Sequence, residues 1–333
     1  MLQTALPHHG ILNENVDFFA MNRKQRRAAQ SQGEATLGRP VPAKMKAIII
    51  SGADAAYWPL LSGMLHSIEH AVRKENMAVG VLDLGLAPEH RDRLLSYGAI
   101  VVEPKWDYPI AHFRKPPPTT FRAMTARPFL PRYFPGYDLY IWLDADCWVQ
   151  DWQAIKLLAT AASQKKFAIV AEVHRSYGGF RQSGTYLEWL HGCYRHCYGD
   201  TIANSLSNFP LLNVGVFAGT SDAAQWSRWQ WHLGEIIKQH DESFFFAEQT
   251  ALNGAIREGN LATALLPAHC NWMCNRAMPG FNPERNIFTE PEPPYLPLGI
   301  IHVAASVKTG VWPVLDQTGK THMKVLTYPL LPM

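Results

Sequence analysis

Two aspartates separated by one alanine, Asp144-Ala145-Asp146, stand directly after the apolar run Leu139–Leu143. In an extended chain residues i and i+2 project to the same side, so the two carboxylates can converge on one cation. A buried strand would deliver them at its carboxyl end, where open α/β sheets place their ligands. Two carboxylates suit a hard divalent ion such as Mg²⁺ or Mn²⁺. Taken alone, the triplet also describes two solvated acids at a strand exit. His302 ends a second apolar run, Leu298-Gly299-Ile300-Ile301, and is the candidate third ligand. An imidazole beside two carboxylates shifts the preference toward Mn²⁺. Lys308, six residues further on, carries the charge that would neutralise a diphosphate bridging to the metal.

The elements that must position these groups read as an α/β protein. Lys46–Ser51 is a short apolar run rich in β-branched residues, as a buried parallel strand requires. Leu61, Met64, Leu65, Ile68 and Val72 recur at helical spacings of three and four over about 60–74. A second strand follows at 77–83, a helix opened by Pro88 ends near Gly98, and a third strand covers 99–102. This alternation implies right-handed crossovers and a mainly parallel, Rossmann-like sheet with helices on both faces. Residues 104–137, rich in Pro and basic groups, read as loop and short helix before the strand at 137–143. The second half offers a strand at 167–170, an apolar segment at 211–217 and a helix beginning near Glu248. There is no internal repeat.

Other residues allow competing chemistry. Cys193-x-x-x-Cys197 and Cys270-x-x-x-Cys274, with His191, His196 and His269 close by, offer four thiolates to a structural zinc. The alternative is reduced thiols packed as small hydrophobes. Trp226, Trp229 and Trp231 suit the cover of a helix–sheet interface better than a sugar-stacking surface, and Trp272 is the acceptor-side candidate. Ser51-Gly52-Ala53-Asp54 lacks the Gly-rich phosphate loop that a sugar-1-phosphate nucleotidyltransferase needs after its first strand.

Charge is unevenly spread. Residues 1–46 hold seven Lys/Arg against three Asp/Glu, while the rest holds 24 against 25. A near-neutral body excludes the basic stripe of a nucleic-acid binder. Residues 1–44 read as a basic, flexible tail, including Met21–Ala29 as a short basic helix. Such an arm either stays solvated or touches an anionic membrane surface or RNA. The chain has no apolar stretch of 18 residues and no apolar leader in its first twenty. Its five cysteines are an odd number, which fits a reducing compartment. The expected location is cytoplasmic, with peripheral contact at the inner membrane face an open alternative.

Several segments occur in a characteristic order: Ala53-Asp54-Ala55-Ala56-Tyr57, Trp142-Leu143-Asp144-Ala145-Asp146, Leu212-Asn213-Val214-Gly215-Val216, Glu248-Gln249-Thr250-Ala251-Leu252-Asn253, and His302-x-x-Ala305-x-x-Lys308. This set, spanning roughly residues 46–312, resembles glycosyltransferase family 8. The resemblance implies a GT-A fold and a retaining transferase that moves a hexose from a nucleotide-sugar, usually a UDP-sugar, with Mn²⁺. It implies one domain over 45–333, with a nucleotide-binding half at 45–150 and a sugar and acceptor half at 151–333. By position, Asp144, Asp146 and His302 would hold the metal, and Lys308 would contact the diphosphate. Tyr57 would pack on the base with Ala53 and Asp54 beside it, and Arg127 would lie near the donor phosphate and sugar. Asn213, Glu248 and Gln249 would line the donor sugar. Gln249 would act as a weak nucleophile or dipole, with Glu248 the alternative for a covalent role. The acceptor would be a carbohydrate or glycolipid hydroxyl, as in the building of surface glycolipid or polysaccharide. The chain departs from the family pattern at Ala55 and Ala56, where polar residues often read the base, and at Thr250, where an acid is common. Ala305 stands for a glycine, and the Pro-Trp pair after the lysine is absent, although Trp312 lies nearby. The other function class that these departures leave open is a non-catalytic nucleotide-sugar-binding relative recruited by the basic arm.

Overall fold

Strand β1 (Ala47–Ala53) shows why this sequence builds layers. With a period of two, it sends Ala47, Ile49 and Ala53 to one face and Ile48 and Ile50 to the other. The first face packs on Leu61, Met64, Leu65 and Ile68 of the helix Trp58–Val72, and on Ile155 and Leu158 of the helix Gln153–Lys165. The second packs on Trp229, Leu233 and Ile236 of the helix Ala224–Gln239. Each fully buried isoleucine contributes roughly 1.5–3 kcal/mol, so the strand is held from both sides. The computed structural model describes residues 45–72, 77–178 and 183–329. The expected basic tail at 1–44 lies outside them.

β1 pairs in parallel with β2 (Ala78–Asp83) on one side, and β2 pairs in parallel with β3 (Ile100–Val102). On its other side β1 meets β4 (Leu139–Leu143), also parallel. β4 then turns into β5 (Cys147–Val149), which leaves this sheet. Strands β6 (Phe167–Ala171), β7 (Leu212–Thr220) and β8 (Ala264–Leu266) complete the order β3-β2-β1-β4-β7-β6-β8. β7 alone runs against its neighbours β4 and β6. The sheet is therefore mainly parallel with helices on both faces, as the alternating pattern predicts.

Two smaller sheets complete the described residues. β9 (Trp272–Met273) lies parallel to β12 (Ile300–His302), which is antiparallel to β5. The other sheet joins β10 (Gly280–Asn282), β11 (Ile287–Thr289), β13 (Trp312–Asp316) and β14 (Thr321–Lys324). No helix among the described residues is long and apolar enough to cross a membrane.

The acceptor-side expectation needs correction. Trp272 is fully buried, inside the cluster of Trp148, Tyr177 and Ile301, so it cannot present a face to an acceptor. Its indole N–H is consumed by the Ala277 carbonyl. The cysteine pairs are all buried free thiols, and among the described residues they do not gather into a metal-sized group. They pack as small hydrophobes: Cys197 lies in the core facing the second helical layer, Cys270 in the first and Cys274 beside Trp272. Trp226 and Trp229 do cover the sheet, stacking 6.4 Å apart over Phe217, whereas Trp231 is 54% exposed.

Candidate active site

The acidic triplet is a turn rather than a continuation of the strand. The Cys147 N–H donates to the Asp144 carbonyl at 2.9 Å, and the Asp144 N–H donates to the Gly215 carbonyl of β7 at 2.8 Å. The expected extended chain is therefore replaced by a tight turn, which sends the two carboxylates into neighbouring clusters. The same turn starts β5, whose antiparallel register puts Cys147 opposite His302. A hydrogen bond from the Val303 N–H to the Asp146 carbonyl, 2.9 Å, locks the two strands at this point.

That register brings His302 Nε2 to 3.3 Å from Asp146 Oδ1. Lys308 Nζ, at the end of a short 3₁₀ turn (Ala305–Lys308), lies 2.8 Å from Asp146 Oδ2 and also donates to the Tyr57 hydroxyl at 2.8 Å. The ammonium sits 4.7 Å from the centre of the Tyr57 ring. Tyr57 is placed by the turn after β1, where its N–H donates to Asp54 Oδ1 at 3.0 Å. Burial alone would raise the Asp146 carboxyl, but His302 and Lys308 beside it hold it well below the usual carboxylate range. His302 is raised in turn: burial works against its charge, and the neighbouring Cys147 and Asp146 outweigh it.

Asp144 belongs to an adjoining cluster. Its Oδ1 accepts from Trp142 Nε1 at 2.8 Å and lies 3.0 Å from Arg127 Nη2. Arg127 is buried, stacks 4.8 Å from the Trp142 ring centre, and donates from Nη1 to Glu248 Oε2 at 3.0 Å. Burial pushes the Glu248 carboxyl up to about 8, with Arg127 opposing and the Asp144 charge adding to the rise. Its second oxygen, Oε1, is buried without a hydrogen-bond partner. Gln249, one residue on, accepts from the Val214 N–H at 3.2 Å.

The two clusters meet over Gly215. A Cβ there would lie 2.5 Å from His302 Cε1 and 3.0 Å from Asp144 Oδ2. Glycine is thus the residue that lets β7 pass beneath both groups.

Behind His302 runs a hydrogen-bonded chain that no sequence motif announces. His302 Nδ1 donates to Asn271 Oδ1 at 3.0 Å, which leaves Nε2 as the nitrogen on the Asp146 side. Asn271 Nδ2 donates to Asn213 Oδ1 at 2.9 Å, which also accepts from the Gly215 N–H at 2.9 Å. Asn213 Nδ2 donates to Glu172 Oε1 at 2.9 Å, and Arg276 donates to Glu172 Oε2 from Nε at 3.0 Å and from Nη2 at 2.6 Å. Asn213 is thus saturated by protein partners and 6% exposed. It orients the site from behind rather than lining its open side.

Of the residues singled out from sequence, Tyr57, Asp146, His302 and Lys308 form one cluster, and Arg127, Asp144 and Glu248 form the other. Asp54 works as a turn cap, and Ala53 is a core residue whose carbonyl accepts from the Leu84 N–H at 3.0 Å. Sequence reasoning missed Cys147, whose sulfur lies within 4.8 Å of ligand atoms of Asp146 and His302. Burial pushes its thiol up to about 11, which disfavours the thiolate needed for ligation. The buried Asp146 and His302 donors lie close enough together to share one divalent cation, whereas Asp144 is not part of that group among the described residues.

Comparison with known proteins bears on the same stretch. Residues 48–198 match the sequence profile of glycosyl transferase family 8. That span includes Tyr57, Arg127, Asp144 and Asp146 and stops before Asn213, Glu248, His302 and Lys308. No curated protein matches the chain. Among solved structures, the galactosyltransferase LgtC in complex with donor and acceptor sugar analogues is 18% identical, over 78% of this chain and 88% of that one, with a TM-score of 0.49. The bifunctional glycosyltransferase WbbM is 15% identical over 71% of this chain and 41% of its own, with a TM-score of 0.45. The glycosyltransferase GlyE of Streptococcus pneumoniae TIGR4 is 16% identical over 80% and 56%, with a TM-score of 0.46. The stretch that carries the first strand and the acidic triplet is thus similar to glycosyl transferase family 8.

Proposed function

We propose that this protein is a metal-dependent retaining glycosyltransferase that moves a hexose from a nucleotide-sugar, a UDP-sugar, to a hydroxyl of a carbohydrate or glycolipid. The observation that carries this reading is the meeting of Asp146, His302 and Lys308 within 3.3 Å, from chain positions more than 150 residues apart. A solvated acid pair at a strand exit needs neither a buried imidazole nor a lysine. A site that handles a metal-bound diphosphate needs both.

Asp144, Asp146 and His302 are the residues to hold Mn²⁺ or Mg²⁺. A bound divalent ion supplies Lewis-acid stabilisation of the diphosphate as the anomeric bond breaks. Lys308, already turned toward Tyr57, adds a positive charge to the departing diphosphate, and Tyr57 offers its ring to the base. Arg127 sets the orientation of Asp144 and pairs with Glu248. A Glu248 carboxyl that favours its neutral form is a poor nucleophile, and Gln249 is engaged by β7. These features support front-face attack by the acceptor hydroxyl, with its proton passing to a diphosphate oxygen, over a covalent intermediate on either residue.

Calorimetric titration of UDP tests the site. Binding should require Mn²⁺ and should disappear in Asp146→Asn, whose fold is retained by circular dichroism. Metal-independent UDP binding of equal strength in both proteins would refute the assignment.

A further inference from the structure

The transferase chemistry leaves Cys147 idle, although its sulfur stands among metal-binding groups. Antiparallel register sets it directly opposite His302, and directly opposed residues project to the same face of a sheet. One ligand atom each from Asp146, Cys147 and His302 falls within 4.8 Å of the others, and all three residues are buried. The Cys147 thiol donates weakly to the Gly215 carbonyl, 4.0 Å away, so the sulfur faces β7, the strand that passes beneath the site. Asp144 faces elsewhere, toward Arg127 and Trp142.

We propose, resting on the metal-dependent reading above, that Asp146, Cys147 and His302 form a second ligand set overlapping the first, through which Zn²⁺ competes with the working Mn²⁺ or Mg²⁺ ion.

The two sets share Asp146 and His302 and differ in the third donor: the carboxylate of Asp144 or the sulfur of Cys147. That difference sorts ions by softness. Carboxylates suit Mg²⁺ and Mn²⁺, whereas a thiolate selects Zn²⁺. One sulfur, one imidazole nitrogen and one carboxylate oxygen make a three-residue zinc site whose fourth tetrahedral position stays open to water. The step needs no oxidant: the Cys147 S–H bond breaks, its proton passes to solvent, and the sulfur electron pair bonds to Zn²⁺, which keeps its oxidation state. Burial holds the free thiol protonated, so an ion that gains little from sulfur leaves it so, whereas a thiophilic ion displaces the proton. His302 offers Nε2 on the Asp146 side in either set, because its Nδ1 is spent on Asn271. A zinc ion bound in this way has taken Asp146 and His302 from the first set, so the two ions exclude each other. Zn²⁺ also stands above Mn²⁺ in intrinsic affinity for such donors, which makes it the stronger competitor.

Zinc X-ray absorption on the full chain, loaded with equimolar Zn²⁺ and no nucleotide, reads the ligand set directly. It should show one sulfur at about 2.3 Å beside nitrogen and oxygen at about 2.0–2.2 Å. Competition titrations of Zn²⁺ against Mn²⁺ give the preference between the ions. That preference should fall at least about 100-fold in Cys147→Ala, the upper end of what loss of an outer-shell partner costs. It should hold in Cys274→Ala, a control for the other buried thiols. A zinc shell without sulfur in the parent protein would overturn the proposal whatever the variants do. A sulfur shell that survives in Cys147→Ala, or an unchanged preference in that variant once folded, would do the same. Mn²⁺-dependent UDP binding by a protein whose zinc shell lacks sulfur would leave the transferase reading standing without the zinc set. A sulfur shell in a protein that binds no UDP with Mn²⁺ would count against the transferase reading and keep the zinc set.

Discussion

Gly215→Ala is the substitution that the site should tolerate least for its size. The added methyl would sit 2.5 Å from His302 Cε1, 2.9 Å from Asn213 Oδ1 and 3.0 Å from Asp144 Oδ2, whereas ordinary contact begins at 3.4 Å. His302 would have to retreat by about 0.9 Å, yet its ring is pinned between Asn271 and Asp146 at 3.0 and 3.3 Å. Overpacking of this kind costs about 1–3 kcal/mol, a fall in Tm of several degrees for a domain of this size. The effect on chemistry should be larger, because a misplacement of about 1 Å in a catalytic constellation costs on the order of 100-fold. Calorimetric melting, Mn²⁺ titration and UDP release measured on one preparation separate the two effects. The expected outcome is a folded protein, slightly less stable, with turnover down about 100-fold. A variant with wild-type metal affinity and turnover would refute the placement of Asp144 and His302 around β7.

Other outcomes follow from the same geometry. Asn271→Ala removes the acceptor that fixes the His302 tautomer and should weaken Mn²⁺ binding about 10–100-fold; unchanged affinity by titration would make the hydrogen-bonded chain incidental. Ala305 adopts φ +57°, a left-handed backbone that costs an L-residue about 1–2 kcal/mol. Ala305→Gly should relieve this, partly offset by about 0.4–1 kcal/mol of added chain entropy in the unfolded state, and a lower Tm would contradict it. Glu248 has its folded value raised from 4.5 to about 8, so between those values the folded protein binds the extra proton and stability falls as pH rises. Glu248→Gln abolishes that loss. Its urea stability relative to the parent should climb across pH 5–8 at up to roughly 1.4 kcal/mol per unit, and parallel curves would show that Glu248 stays ionised.

The legible part of this protein is local. The β1 to β4 strands announce themselves as apolar runs, and the triplet after β4 draws attention because two acids follow five buried residues. What sequence cannot convey is the company those acids keep. The turn at Asp144 depends on β5 leaving the main sheet, and β5 takes its register from β12, about 150 residues later, and donates a hydrogen bond from its Val149 N–H to Ser67 of an earlier helix. β7 looks like any buried strand, and nothing in Leu212–Thr220 signals that it runs antiparallel. Asn271, Glu172 and Arg276 are ordinary polar residues until Asn213 and His302 are seen beside them. Trp272 misleads for the opposite reason: a large aromatic in a polar stretch suggests a surface platform, but its neighbours Tyr177 and Ile301 come from distant segments and enclose it. The spacing of the cysteine pairs likewise says nothing about the separate cores to which they belong.

The central claim is that Asp146 and its partners make nucleotide-sugar chemistry depend on a metal. The direct measurement is release of nucleoside diphosphate from a panel of nucleotide-sugars, with and without Mn²⁺ and with octyl glycosides as acceptors, for the parent protein and Asp146→Asn. Mn²⁺-dependent release from at least one donor, lost in the variant, is the predicted result. Release that is indifferent to Mn²⁺ and to Asp146, or no release from any donor with any acceptor, would contradict it.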